Sequence, residues 1–282
     1  TGASCNRALS WVYDVGMTVI LIFQEGAMMR LRRLVTSVFA FLLLGTSGLV
    51  ANDAREVVKE AIPGVVLVVR PWHTSWPSRV RATGTGFVIH RDGYVLTAFH
   101  NIGSTETGRI DSILYAYFVD KKHPYDPPRR QAWRLRVVRT NFMLDLALLK
   151  IDAMEKDGRL VAVPRGTKFP TLEIADSDDV EPTDDVHALG FPSLARTGDS
   201  IFTGITVTSG KVVGLDRENK WLKSGASISP GNSGGPAIDS KGRVIGVNTM
   251  VRLEHRTQGR IALVRPVNLA RHLAKDTPAW GA

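Results

Sequence analysis

The sequence holds one cysteine, Cys5, in 282 residues, so no internal disulfide can staple its fold. It also lacks the cysteine pairs of a zinc site, a His-Glu-x-x-His motif and a phosphate loop. Gly84-Thr85-Gly86 is missing the third glycine and the helix of a dinucleotide fingerprint. No metal or other cofactor is therefore expected. Long apolar runs are scarce: the main one, 34–44, stands near the N-terminus, which argues against a polytopic membrane protein. Acidic residues are outnumbered, 27 against 36 basic, for a formal charge of +9. Such an excess more commonly serves solubility than recognition, and no nucleic-acid partner is expected. What is present, 44% hydrophobic and 22% charged residues, is a globular composition that excludes a disordered or collagen-like chain.

The chain begins at Thr1, and Met28 or Met29 makes the better start. From there Arg30, Arg32 and Arg33 precede the apolar run and then small residues up to Ala51, the order of a secretory signal. Cleavage after Ala51 is the favoured reading, and an uncleaved segment 28–51 would instead act as an N-terminal membrane anchor. Residues 52–282 are then the working domain. Its densest basic stretch, Lys121, Lys122, Arg129, Arg130, Arg134, Arg136 and Arg139, is broken by prolines and reads as a solvated excursion. The acidic stretch 173–185 lacks the glycine-punctuated spacing of a calcium loop and reads as a polar connector between two halves.

Short β-rich runs separated by turn residues dominate from residue 64 onward. They fall at 65–69, 86–90, 94–98, 113–119, 133–138 and 146–151, then at 186–190, 204–213, 221–228, 236–238, 244–250 and 261–264. This regular spacing predicts an all-β sandwich or barrel, here two six-stranded antiparallel β-barrels, the first over about 64–152 and the second over about 186–266. Short helices are expected only at the ends, 53–62 and 267–274.

The strongest local signal is Ser229-Pro230-Gly231-Asn232-Ser233-Gly234-Gly235-Pro236, a small-residue loop between two β-like runs. A hydroxyl nucleophile must be open to a substrate carbonyl, and backbone N–H groups must face the oxyanion that forms. Gly231 can adopt the angles that turn its N–H inward, so Gly231 and Ser233 are the candidate oxyanion donors. For the octapeptide alone a plain hairpin turn is the alternative. Among the seven histidines His100 is the candidate base, because an apolar strand delivers it to a barrel rim. The base needs an acid on its other nitrogen. Asp145 offers a carboxylate inside the apolar run 143–149, where a lone charge is costly unless paired; its alternative is a turn aspartate just outside a strand.

The order His100, Asp145, Ser233 is that of the chymotrypsin-like serine proteases. Within that clan the chain resembles the HtrA (Deg) type of trypsin-like peptidase. The resemblance rests on Gly84-Thr85-Gly86-Phe87-Val88-Ile89 with 92–97 and His100, on 145–151, on Ala188-Leu189-Gly190-Phe191-Pro192, on 206–210, on 231–236 and on Val244-Ile245-Gly246-Val247-Asn248-Thr249. It spans about residues 57–273 and implies an active site in the cleft between the barrels, with His100 and Asp145 from the first and Ser233 from the second. It implies a serine endopeptidase acting on unfolded or flexible protein and peptide substrates through an acyl-enzyme, in quality control or processing within a bacterial envelope or outside the cell. By resemblance the primary pocket lies around Ser227, Ile228, Ser229, Asn248, Thr249 and Met250, a set without a carboxylate for Lys or Arg. A homotrimer is implied by resemblance alone. HtrA proteases usually carry a PDZ domain after the protease domain, whereas nine residues follow Leu273 here. The rival reading is a latent or inactive copy of the fold that binds without cutting.

Overall fold

A computed structural model of the chain describes residues 54–71, 80–111, 113–192, 202–254, 259–278 and 280. The secretory signal or anchor expected at 28–51, together with Cys5, lies outside the described residues. The order opens with helix α1 (Ala54–Ala61) and strands β1 (Val65–Pro71), β2 (Val80–His90), β3 (Tyr94–Thr97), β4 (Tyr115–Phe118), β5 (Trp133–Asn141), β6 (Leu146–Lys156) and β7 (Arg159–Ala162). It continues through β8 (Asp185–Gly190), β9 (Thr206–Asp216), β10 (Trp221–Ser224), β11 (Pro236–Ile238), β12 (Val244–Glu254) and β13 (Gly259–Pro266), and ends in a 3₁₀ segment, Val267–Leu273.

Two antiparallel barrels of six strands result. In the first the order is β3-β2-β1-β4-β5-β6, and the β3–β6 pairing, Tyr94 opposite Lys150 through Thr97 opposite Ala147, closes the ring. The second is closed in the order β10-β13-β12-β11-β8-β9. Period-two alternation puts successive side chains of a strand on opposite faces, and the central strands are buried on both. Val66 and Val68 of β1 point into the first barrel with Val88, Val95, Leu149 and Ile151. Their neighbours Val65, Leu67 and Val69 point outward into a layer shared with Leu189, Phe191, Ile238 and Val247 of the second half. Ala188, Val212, Ala237, Ile245 and Val264 fill the second barrel. Each large side chain so buried contributes roughly 1.5–3 kcal/mol, so the shared layer is what fixes one barrel against the other.

The structure departs from the sequence reading in three places. Strand β7 was not expected; it returns on β6 through Asp157 (φ 52°) and Gly158 (φ 73°), a two-residue hairpin whose left-handed angles an Asp-Gly pair accommodates. The run expected at 221–228 is a strand only through Ser224, because 225–229 must bend toward the serine loop. The terminal 267–274 helix is 3₁₀, not α. The acidic connector is held on the second half, with Ala175 N–H on Val244 O (2.9 Å) and Val244 N–H on Glu173 O (2.8 Å), while Leu172 just before it donates its N–H to Val88 O of the first (2.9 Å).

Candidate active site

His100 follows β3 on a 3₁₀ turn, Phe99–Asn101. Phe99 is buried inside the first barrel and anchors the turn, which leaves the His100 side chain at the rim with 37% exposure. Asp145 sits in the turn just before β6, the turn position offered as the alternative for this segment, and its carboxylate is paired there as well. The turn has a physical reason. Asp145 has φ 56°, a left-handed angle that no strand residue can hold, and its N–H closes the turn on Phe142 O at 3.2 Å. Asp is among the few residues that tolerate that region. The turn aims both carboxylate oxygens at one residue: Oδ1 accepts the His100 backbone N–H (2.9 Å) and Oδ2 meets His100 Nδ1 at 2.7 Å. The Asp145 carbonyl also accepts Phe99 N–H (3.1 Å). With Nδ1 donating to a carboxylate, Nε2 is the imidazole's acceptor nitrogen.

The serine loop is two consecutive turns. Asn232 N–H donates to Ser229 O (3.0 Å) around Pro230 and Gly231, and Gly235 N–H to Asn232 O (3.0 Å) around Ser233 and Gly234. Gly231 at φ 99° and Gly234 at φ 83° occupy the third position of each turn, where a positive φ selects glycine. A Cβ on Gly234 would strike Thr85 O, Thr97 Oγ1 and Asn101 Nδ2, so the first barrel presses directly against this loop. Strand β12 holds its other side, with Gly234 N–H on Asn248 O (2.7 Å) and Asn248 N–H on Gly235 O (2.8 Å). Among the described residues the N–H groups of Gly231 and Ser233 donate to no protein acceptor. Buried backbone donors are nearly always paired, so an unpaired pair flanking a serine is a place for an anion. The Ser233 hydroxyl itself donates to Thr249 O at 2.8 Å, and no hydrogen bond joins it to His100.

Two further residues that the sequence reading had not singled out position this loop. Thr85 of β2 donates its N–H to Ser233 O (2.9 Å) and its Oγ1–H to Gly231 O (2.6 Å), while Oγ1 accepts Phe191 N–H (2.9 Å). Asn101, next to the candidate base, donates from Nδ2 to Ser233 O (2.7 Å), with Thr97 Oγ1 (3.1 Å) and Thr85 O (3.3 Å) nearby. The one available signal was steric: a threonine between two glycines on a buried strand, and an asparagine filling space that Gly84 and Gly234 leave open.

The six residues expected around the primary pocket divide. Ser227 and Ser229 are exposed and Met250 is 47% exposed. Ile228 is buried in the interior of the second barrel. Asn248 and Thr249 are buried, Asn248 donating from Nδ2 to Pro236 O (3.1 Å) and Thr249 Oγ1 to Val247 O (3.2 Å), so both build the wall behind the serine loop. Among the described residues no group of three or more His, Cys, Asp or Glu is arranged to hold a metal ion.

The family described as trypsin-like peptidase domain matches residues 84–247, a span that contains His100, Asp145 and Ser233. A Rickettsia prowazekii protein described as a DegP-like periplasmic serine endoprotease is 29% identical over 67% of this chain and 32% of its own length. A Brucella suis protein of the same description is 31% identical over 64% of this chain and 29% of its own. The crystal structure of a serine endoprotease from Yersinia pestis superposes with a TM-score of 0.58 at 26% identity, covering 80% of this chain and 68% of that one. The chain belongs to the trypsin-like peptidase family, and its similarity to DegP-like proteins agrees with the HtrA resemblance. It spans about a third of the length of these two curated relatives.

Proposed function

We propose that residues from 52 onward form a serine endopeptidase domain in which His100, Asp145 and Ser233 are the base, the orienting acid and the nucleophile. The observation that carries this reading is the Asp145–His100 pair at 2.7 Å, beside a serine flanked by two unpaired N–H groups. A substrate carbonyl oxygen received by Gly231 and Ser233 N–H would be polarised toward attack, and the same donors would hold the tetrahedral oxyanion. His100 Nε2 takes the Ser233 proton as Oγ bonds to the carbonyl carbon, then returns it to the leaving amine. Asp145 keeps the Nδ1–H tautomer and stabilises the imidazolium. Water, activated by His100 in the same way, releases the acyl-enzyme. Donors of this kind are worth about 10²–10³ each in rate.

The substrates are unfolded or flexible proteins and peptides. Around Ser227, Ser229 and Met250 no carboxylate is expected to select Lys or Arg, and a small or medium aliphatic side chain before the scissile bond fits best. Residues 28–51 act as the export signal or anchor, which makes the site of action the bacterial envelope or beyond, in protein quality control or processing; the periplasmic description of the relatives supports this. Among the described residues no helix is long and apolar enough to cross a membrane. Assembly as a homo-oligomer, a trimer by family resemblance, belongs to the same reading.

One observation favours a second reading, a resting enzyme that waits for its substrate or an activator. Ser233 Oγ is bonded to Thr249 O and must leave it before His100 can take its proton. Cleavage of casein by residues 52–282 and by Ser233→Ala tests the proposal. Proteolysis by the first alone is the expected result. Proteolysis by both would remove Ser233 from the chemistry, and proteolysis by neither would favour the latent reading.

A further inference from the structure

Arg265 stands on β13 of the second barrel and is 8% exposed. Its guanidinium stacks on the Trp221 ring, 3.3 Å from the centroid, and Nη1 donates to Asn219 O (2.9 Å) and Lys220 O (3.0 Å). Nε crosses to the first barrel and donates to Leu144 O at 2.9 Å. Among the described residues it makes no hydrogen bond or ion pair to a carboxylate. Burial of a cation in such surroundings is expensive, and packing alone would be met as well by methionine or leucine. Burial lowers the guanidinium's affinity for its proton, and the one charge that acts to raise it is Asp145.

Leu144 O belongs to the peptide that joins Leu144 to Asp145. A planar peptide held at its carbonyl fixes ψ of one residue and φ of the next. The next residue is Asp145 at φ 56°, a conformation that persists in a non-glycine residue only where surroundings hold it. We infer that Arg265 is a positioning residue for the acid of the triad: it ties the 142–145 turn to the serine-bearing barrel, keeps Asp145 turned onto His100, and places an uncompensated positive charge near the carboxylate. This rests on the triad reading above.

The test compares wild type, Arg265→Met and Arg265→Lys in residues 52–282. It measures the rate of fluorophosphonate labelling, kcat and KM on a cleaved peptide, and the far-downfield proton resonance of the His100–Asp145 hydrogen bond. Arg265→Met is expected to label about tenfold or more slowly, with kcat lowered, KM unchanged and the downfield resonance broadened or lost. Arg265→Lys keeps the charge and one donor, so it should recover most of the rate and the resonance. Ile245→Val, a truncation inside the second barrel remote from Leu144, serves as the control for lost stability alone and should label normally. If Arg265→Met fails to fold, Arg265→Gln, which lacks the charge and the fork of donors, takes its place: a slowed rate and weakened resonance without a lower melting temperature support the inference, and wild-type values overturn it. A labelled wild type with an equally labelled, folded Arg265→Met overturns this inference alone. A folded wild type that takes no label overturns the triad reading beneath it.

Discussion

The two barrels supply unlike halves of the candidate site. The first provides side chains whose chemistry depends on a proton and a charge, and it holds them with side-chain hydrogen bonds: both Asp145 oxygens fall on His100. The second provides backbone, a pair of N–H groups and one hydroxyl, and it shapes them with turn geometry at Gly231 and Gly234. Neither half stands alone. The glycine loop is pinned by Thr85 and Asn101 of the first barrel, and the aspartate turn is pinned by Arg265 of the second. The halves are thus held by reciprocal contacts, each barrel fixing the other's contribution, so damage to a pin should act on the partner barrel's function.

The largest effect is expected at the charged half. Asp145→Asn keeps the shape of the turn but removes the charge and permits the wrong histidine tautomer, and kcat should fall by about 10³–10⁴ with the melting temperature nearly unchanged. A residual rate within tenfold of wild type would mean that His100 is oriented by something else. Next comes a pin of the backbone half. Thr85→Val is close in volume but deprives Gly231 O of its donor and Phe191 N–H of its acceptor, at about 1–3 kcal/mol for buried groups left unpaired. Its kcat should fall by about tenfold or more while KM changes little, and steady-state kinetics on a peptide substrate would check the split. Equal losses in an unrelated core variant of the same stability would reduce Thr85 to a packing residue.

Asn101→Ala removes a donor to Ser233 O and leaves a small gap against Gly84 and Gly234. A loss of about 1–2 kcal/mol in denaturant unfolding is expected, with a smaller effect on rate than Thr85→Val, because Thr85 N–H still holds Ser233 O. The smallest effect lies away from the site, at His187 of β8. Burial holds this imidazole below the ordinary histidine value of 6.5, against the opposing influence of Asp185 and Asp239, and its Nδ1 meets Ser209 Oγ at 2.7 Å. The unfolded chain then binds a proton that the folded one resists. Its contribution to stability is fully present above about pH 6.5 and is lost as pH falls through that value. Urea midpoints between about pH 8 and 5.5 should decline less for His187→Gln than for wild type. Parallel declines would assign the pH dependence to other groups.

What the sequence made legible follows the same division. The all-β class could be read because β1 and β6 carry apolar runs, 65–69 and 146–149, as strands buried on both faces must. The serine loop was legible because glycine at φ 99° and 83° has few substitutes, and His100 because it ends such a run. For Asp145 the sequence leaves two readings side by side, a paired carboxylate and a turn aspartate just before β6, because the runs on either side of it look continuous. Only the backbone reveals the left-handed turn between them. Thr85, Asn101 and Arg265 were illegible for a common reason: each acts on a carbonyl of the other half between 121 and 146 positions away, and a carbonyl leaves no mark in a sequence. Strand β7 was missed although Asp157-Gly158 marked its turn, because its four residues are all exposed and show no alternation.

Proteolysis by this site requires Ser233 to be an activated nucleophile with a formed oxyanion site. Intact-mass measurement of residues 52–282 treated with a fluorophosphonate, beside Ser233→Ala, tests it. The expected result is one adduct per chain on the wild type and none on the variant. A folded wild type that takes no adduct, or a Ser233→Ala variant that takes one, would contradict it.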